Sequence, residues 1–102
     1  MELLNEKNFK EKTQKGVVLV DFFATWCGPC RMMAPILEDV QETFSNELKI
    51  YKVDIDDNEN LARSFGIMSI PTLILFVNGE RKEKQVGLMM QDELEDMIKK
   101  YL

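Results

Sequence analysis

Histidine is absent from this chain of 102 residues. That one gap removes Cys–His and Ser–His–Asp nucleophile pairs and every metal site that needs an imidazole. Also missing is any apolar run near the roughly 18 residues required to cross a bilayer. The N-terminal stretch "MELLNEKNFK" has acidic and amide residues where a signal peptide would have a basic start and an apolar core. The cytoplasm is the compartment this predicts. Nor is there an excess of positive charge. Thirteen Lys and Arg against 18 Asp and Glu leave a net charge of −5, with the signs interspersed. That argues against nucleic acid or an anionic membrane as the main partner. The longest basic cluster, "GERKEK" from Gly79 to Lys84, is interrupted by Glu80 and Glu83 and reads as a solvated turn. No linker, repeat or low-complexity segment divides the chain, and its length suits one domain over residues 1–102 with its own core.

What is present alternates between two periods. Val17 to Ala24 and Thr72 to Val77 are continuous apolar runs rich in β-formers, as expected of strands covered on both faces. Leu48 to Ile55 reads as a further strand with one less buried face. Asn78-Gly79 directly after "LILFV" is a strong hairpin signal, because both turn positions need positive φ. It is expected to lead into a last strand around Lys84 to Leu88. Between these, Met33, Ile36, Leu37, Val40 and Phe44 mark one face of a helix, with Pro35 expected to kink it. Leu94, Met97, Ile98 and Tyr101 repeat the spacing near the C-terminus. Shorter helices are expected over Asn8 to Gln14 and over Asn58 to Phe65, the latter closed by Gly66. The order predicts an α/β fold with a mixed sheet between helices.

The chain has only two cysteines, Cys27 and Cys30, separated by Gly28 and Pro29. Random placement would set them three residues apart only about one time in fifty, so the spacing is informative. A structural staple is one reading, but a loop this short gives only about 2 kcal/mol, and a reducing cytosol would undo it. Half of a zinc site is another; with two thiolates and no histidine it would need a second copy of the chain or added carboxylates. The third reading is a dithiol that cycles. A strand feeding "WCGPC" into an amphipathic helix places Cys27 at a helix N-terminus, where free N–H groups and the helix dipole favour a thiolate. Arg31 adds a cation nearby. Cys30, one turn further in, lies behind Cys27 and less exposed. Attack of a thiolate on a disulfide gives a mixed disulfide, which a second thiol within one helical turn can release.

The segments "VDFFATWCGPCRMMAPIL", "YKVDID", "FGIMSIPTLILFVNGE" and "VGL" together carry a resemblance that covers nearly the whole chain. They are similar to the thioredoxin family. The resemblance implies a thioredoxin fold: a central five-stranded mixed sheet flanked by four helices. It implies a protein-disulfide reductase whose attacking thiolate is Cys27 and whose resolving thiol is Cys30. No cofactor or metal beyond the redox-active disulfide is expected, and the implied partners are a thioredoxin reductase and disulfide-containing proteins, met by a monomer. It also implies a cis peptide before Pro71. On base rates alone Ile70-Pro71 would be trans, a proline opening a strand. Substrate is expected to pair with the backbone of Ile70, with Trp26, Gly28, Pro29, Val86, Gly87 and Leu88 forming the rim of an apolar groove.

Asp21 stands in the middle of the most hydrophobic strand. If Val17, Leu19, Asp21 and Phe23 share a covered face, burial raises its pKa. It then reads either as an acid bonded to nearby backbone or as a proton acceptor for Cys30. Lys52, in phase with Leu48 and Ile50, resembles the family lysine near this acid; on its own it is an ordinary edge lysine. Departures from the family pattern are Phe23, where many members carry a second tryptophan, and Leu88-Met89-Met90, which predict a bulkier, softer rim. Ser69 stands where some members have glycine. The runner-up from another class is a binding subunit that uses the same groove without redox cycling. A metal-bridged dimer is a third reading.

Overall fold

A strand that is apolar at six of its seven positions must be covered on both faces, and the computed structural model, which describes residues 1–102, covers it. β1 (Val17–Phe23) lies inside a sheet of four strands in the order β2-β1-β3-β4. β2 (Lys49–Asp54) runs parallel to β1, β3 (Thr72–Val77) runs antiparallel to it, and β4 (Glu80–Val86) is the outer antiparallel edge. Chain order interleaves these with α1 (Phe9–Thr13), α2 (Gly28–Phe44), α3 (Glu59–Ser64) and α4 (Gln91–Lys99). No helix is long and apolar enough to cross a membrane.

Strand alternation sends odd and even residues of β1 into different cores. Leu19 joins Ile50, Leu73 and Leu75 beneath α2 and α4, packed on Met33, Leu37 and Leu94. Val18, Val20 and Phe22 face the other way, toward Phe9 of α1 and toward Leu61 and Phe65 around α3. There the rings of Phe9, Phe22, Phe65 and Phe76 meet edge-on or tilted, with centroids between 5.2 and 6.3 Å apart. Such aromatic pairs contribute about 0.5–1.5 kcal/mol beyond their area.

The sheet has four strands rather than the expected five. The N-terminal segment makes only an isolated parallel bridge from Leu3 to Lys52 on the free edge of β2. Leu4 N donates to Lys52 O at 2.8 Å and Lys52 N to Glu2 O at 3.0 Å, and the ladder ends there. The reason lies one residue on: Asn5 Oδ1 accepts from the backbone N–H groups of Lys7 and Asn8, which turns the chain away into α1. Leu4 is nonetheless buried and pins the segment to the core.

The Asn78-Gly79 turn forms as expected, with both residues at positive φ (51° and 83°). The segment after it corrects the sequence reading. "GERKEK" is not a loose turn; β4 begins at Glu80, not near Lys84. An edge strand needs neither apolar alternation nor two covered faces, so its charged residues conceal it. A register shift between Leu75 and Phe76 accommodates one extra β4 residue. α2 runs without interruption through Pro35. Tyr101 falls beyond the end of α4 but still packs against the core.

Candidate functional site

β1 delivers the chain to the N-terminus of α2, where Cys27 is the N-cap residue. Its extended backbone (φ −89°, ψ 116°) is that of a residue entering a helix, and Pro29 occupies the first turn, where its missing N–H leaves no bond unmade. The Cys30 N–H points at Cys27 Sγ, 3.2 Å away. No acidic residue sits in this first turn, so the partial positive charge of the helix end falls on sulfur. The two cysteines are joined as a disulfide, with their Cα atoms 5.3 Å apart. Both are buried, Cys30 at 2% exposure and Cys27 at 5%. With Ala24 they form a small third core, covered in part by Phe23, Ile55 and Ile70.

The Ile70-Pro71 peptide is cis. The Ile70 carbonyl lies 3.8 Å from Cys27 Sγ. Pro71 is buried, and its carbonyl accepts from Gly87 N at 2.8 Å, so the end of β4 is tied to the same loop. Gly87 has φ +94°, a conformation side chains rarely adopt. Around this centre Trp26, Val86 and Leu88 are exposed, as are Gly28 and Pro29. Met90 is also exposed, whereas Met89 turns inward onto the core, so only part of the Leu88-Met89-Met90 run softens the rim. Trp26 Nε1 donates to Asp56 Oδ2 at 2.8 Å, which orients the indole. Sequence reasoning missed Asp56. It lies 30 residues away among other acids, and nothing in its spacing marks it.

Asp21 is completely buried, and neither carboxylate oxygen has a hydrogen-bond partner from the protein. The reading of an acid satisfied by nearby backbone is therefore excluded. Burial pushes its pKa up to about 6 from 3.8, partly offset by the attraction of Lys52. Lys52 lies directly opposite Asp21 across the parallel β1–β2 pairing. Its ammonium sits 4.3 Å from the centre of the Phe23 ring rather than in an ion pair with the acid. The phenyl ring at this position thus holds the lysine. A cavity of about 130 Å³ is lined by Cys30, Lys52, Phe23 and Ala24 among others. Arg31 also borders it, with a guanidinium nitrogen 3.4 Å from the Thr25 carbonyl. One site thus gathers the disulfide, the cis-proline loop, Lys52 and the buried face that carries Asp21. No cluster of metal-ligating side chains occurs in the structure.

The thioredoxin family model matches residues 1–100. The chain belongs to the thioredoxin family. It is 48% identical over 99 residues to the thioredoxin of Listeria monocytogenes serovar 1/2a, covering 97% of this chain and 96% of that one. Identity to the thioredoxin of Bacillus subtilis strain 168 is 43% over 97 residues, covering 95% and 93%. Among solved structures, a mutant thioredoxin from Halobacterium salinarum NRC-1 matches with a TM-score of 0.89 and 37% identity, covering 99% of this chain and 88% of that one. The thioredoxin fold and a CxxC disulfide at its characteristic place identify a thiol–disulfide oxidoreductase that reduces protein disulfides.

Proposed function

We propose that reduction proceeds through Cys27 as nucleophile and Cys30 as resolving thiol. The supporting observation is the placement of Cys27 at the N-cap of α2, with the Cys30 N–H directed at its sulfur. That N–H and the helix dipole stabilise a thiolate on Cys27 in the reduced protein. The thiolate attacks one sulfur of a substrate disulfide, whose second sulfur departs as a thiolate and takes up a proton. Cys30 then loses its proton and attacks Cys27 Sγ. The Cys27–Cys30 disulfide forms, the remaining substrate thiolate leaves, and the substrate has gained two electrons.

Asp21 is the acceptor for the Cys30 proton in this reading. A buried acid with a pKa near 6 is ionised at neutral pH yet basic enough to take a proton. Lys52 limits the rise and borders the cavity beside Cys30. That cavity is wide enough to admit water, which carries the proton where the groups do not touch. The substrate segment lies extended across the rim of Trp26, Gly28, Pro29, Val86, Gly87 and Leu88, pairing with the backbone of Ile70 beside Pro71. Contacts of this kind read backbone more than side chains and suit a reductant of many proteins. Regeneration falls to a thioredoxin reductase supplying two electrons per cycle. The protein works in the cytoplasm as a monomeric single domain, with no cofactor beyond its own dithiol.

Insulin-disulfide reduction, driven first by dithiothreitol and then by candidate reductases, tests the activity and the recycling partner together. Cys30→Ser is expected to reduce turnover to background and to accumulate a covalent complex on a gel run without reductant. Absence of that complex would remove Cys27 from the role of nucleophile.

A further inference from the structure

β4 is the most charged strand of the sheet, yet only one of its basic residues reaches another element of the fold. Lys82 meets only Glu80 on its own strand, and Arg81 lies exposed. Lys84 pairs with Ile74 across the sheet, on the face covered by α1 and α3. Its ammonium donates to the carbonyls of Phe65 at 3.2 Å and Gly66 at 3.4 Å. These are carbonyls just beyond the C-terminus of α3, where the helix dipole favours a cation. Gly66 is left-handed (φ +64°) and closes the helix through Gly66 N to Arg63 O and Ile67 N to Ala62 O. A side chain on Gly66 would place its Cβ 3.8 Å from the Lys84 nitrogen.

Beyond this joint runs the loop Ile67 to Pro71, which carries Ile70 to the disulfide. Its far end is fixed by the buried Thr72 hydroxyl, which donates to Ser69 O at 2.6 Å, and by Gly87 N bonded to Pro71 O. Between the two ends Met68 is 95% exposed, so the middle of the loop has no packing of its own to hold it. The loop is positioned from its ends: Lys84 of β4 fastens the start, and Thr72 together with Gly87, the residue just after β4, fastens the far end.

We infer that Lys84 is a positioning residue for the disulfide-reduction site, holding the start of the Ile67–Pro71 loop so that Ile70 meets an extended substrate in register. It touches neither substrate nor sulfur. This rests on the reading of Ile70 as the strand-pairing residue, which is tested separately: wild-type protein should bind a disulfide peptide N-methylated at the pairing position more weakly than its parent. Equal binding would remove that reading and leave the fastening itself untouched.

The fastening is tested with Lys84→Met, which keeps the aliphatic stem and removes the ammonium. Insulin reduction should show KM raised about twofold to fivefold with kcat held, the scale of one cation at a helix end. Reduction of bis(2-hydroxyethyl) disulfide, which has no peptide backbone to pair, should be unchanged. Amide exchange should quicken at Ile67, Met68 and Ile70 and stay constant in β1. Lys84→Arg, which also donates to carbonyls, should restore KM. Equal losses on both disulfides, or exchange quickened throughout the sheet, would mean general destabilisation and overturn the proposal. An unchanged insulin KM would overturn it as well.

Discussion

β1 and β4 belong to the same sheet and use charge in opposite ways. β4 exposes most of its charges to water at an edge, where a carboxylate or ammonium costs little and contributes little. β1 is buried over almost its whole length and carries a single charge, Asp21, with no hydrogen-bond partner. The same kind of side chain that is neutral scenery at Glu80 is an energetic burden at Asp21. Its position places that burden at the end of the sheet that feeds the disulfide, on the face whose neighbouring cavity is lined by Cys30 and Lys52. Charge in a central strand is informative because so little else there can be polar.

The largest expected effect comes from moving the acid. Leu19→Asp puts a carboxylate two residues earlier on the same buried face, among apolar neighbours of α2 and α4. It should destabilise the fold by about 4 kcal/mol or more, because an unpaired buried charge adds to the loss of leucine packing. Urea unfolding at pH 7 measures this, and a loss comparable to a surface substitution would show that the β1 face tolerates charge anywhere.

Asp21→Asn should act in the reverse direction. An acid whose folded pKa is raised favours the native state while protonated. That contribution is complete below about 3.8 and is lost as pH climbs through about 6. The variant should therefore gain about 1–3 kcal/mol over wild type at pH 7, less whatever an unpaired amide costs there. It should also lose the decline in stability between pH 4 and 6 that wild type shows. Parallel stability curves for the two proteins would contradict the burial argument.

A smaller effect is expected from Lys52→Met. Lys52 lowers the pKa of Asp21, so its removal should move the carboxyl above about 6, as read by an NMR titration of the Asp21 side chain. No movement would leave Lys52 without an electrostatic part. At the other extreme, Glu80→Ala removes the only ion pair of Lys82 on β4 and should change stability by less than about 0.5 kcal/mol. A loss of several kcal/mol would erase the contrast between edge and centre.

Much of the fold and the site was legible in the sequence, for identifiable reasons. Val17–Phe23 and Thr72–Val77 announce themselves because central strands must be apolar on both faces. Cys27 and Cys30 are visible because no other pattern in the chain explains two thiols one helical turn apart. Alternation alone placed Asp21 on the covered face, although it could not show the lack of partners. The cis form of Ile70-Pro71 came only through the family resemblance, since nothing local to the dipeptide demands it. β4 was misread at Glu80–Glu83 because an edge strand lacks the periodicity that identifies a half-buried one. The fifth strand reduced to a bridge at Leu3 because Asn5 ends the pairing with its own turn. Asp56 under Trp26 and Lys84 under Gly66 were invisible, for both depend on contacts between residues distant in sequence.

Service of Asp21 to Cys30 is the central claim. Single-turnover release of substrate from the Cys27 mixed disulfide, followed from pH 5 to 9 in wild type and Asp21→Asn, tests it directly. Wild-type release should accelerate as pH rises through about 6 and then level off, following ionisation of the buried carboxyl. In Asp21→Asn that rise should disappear, and release at pH 7 should be slower while the initial attack by Cys27 is unaffected. Superimposable release profiles for the two proteins would contradict the claim.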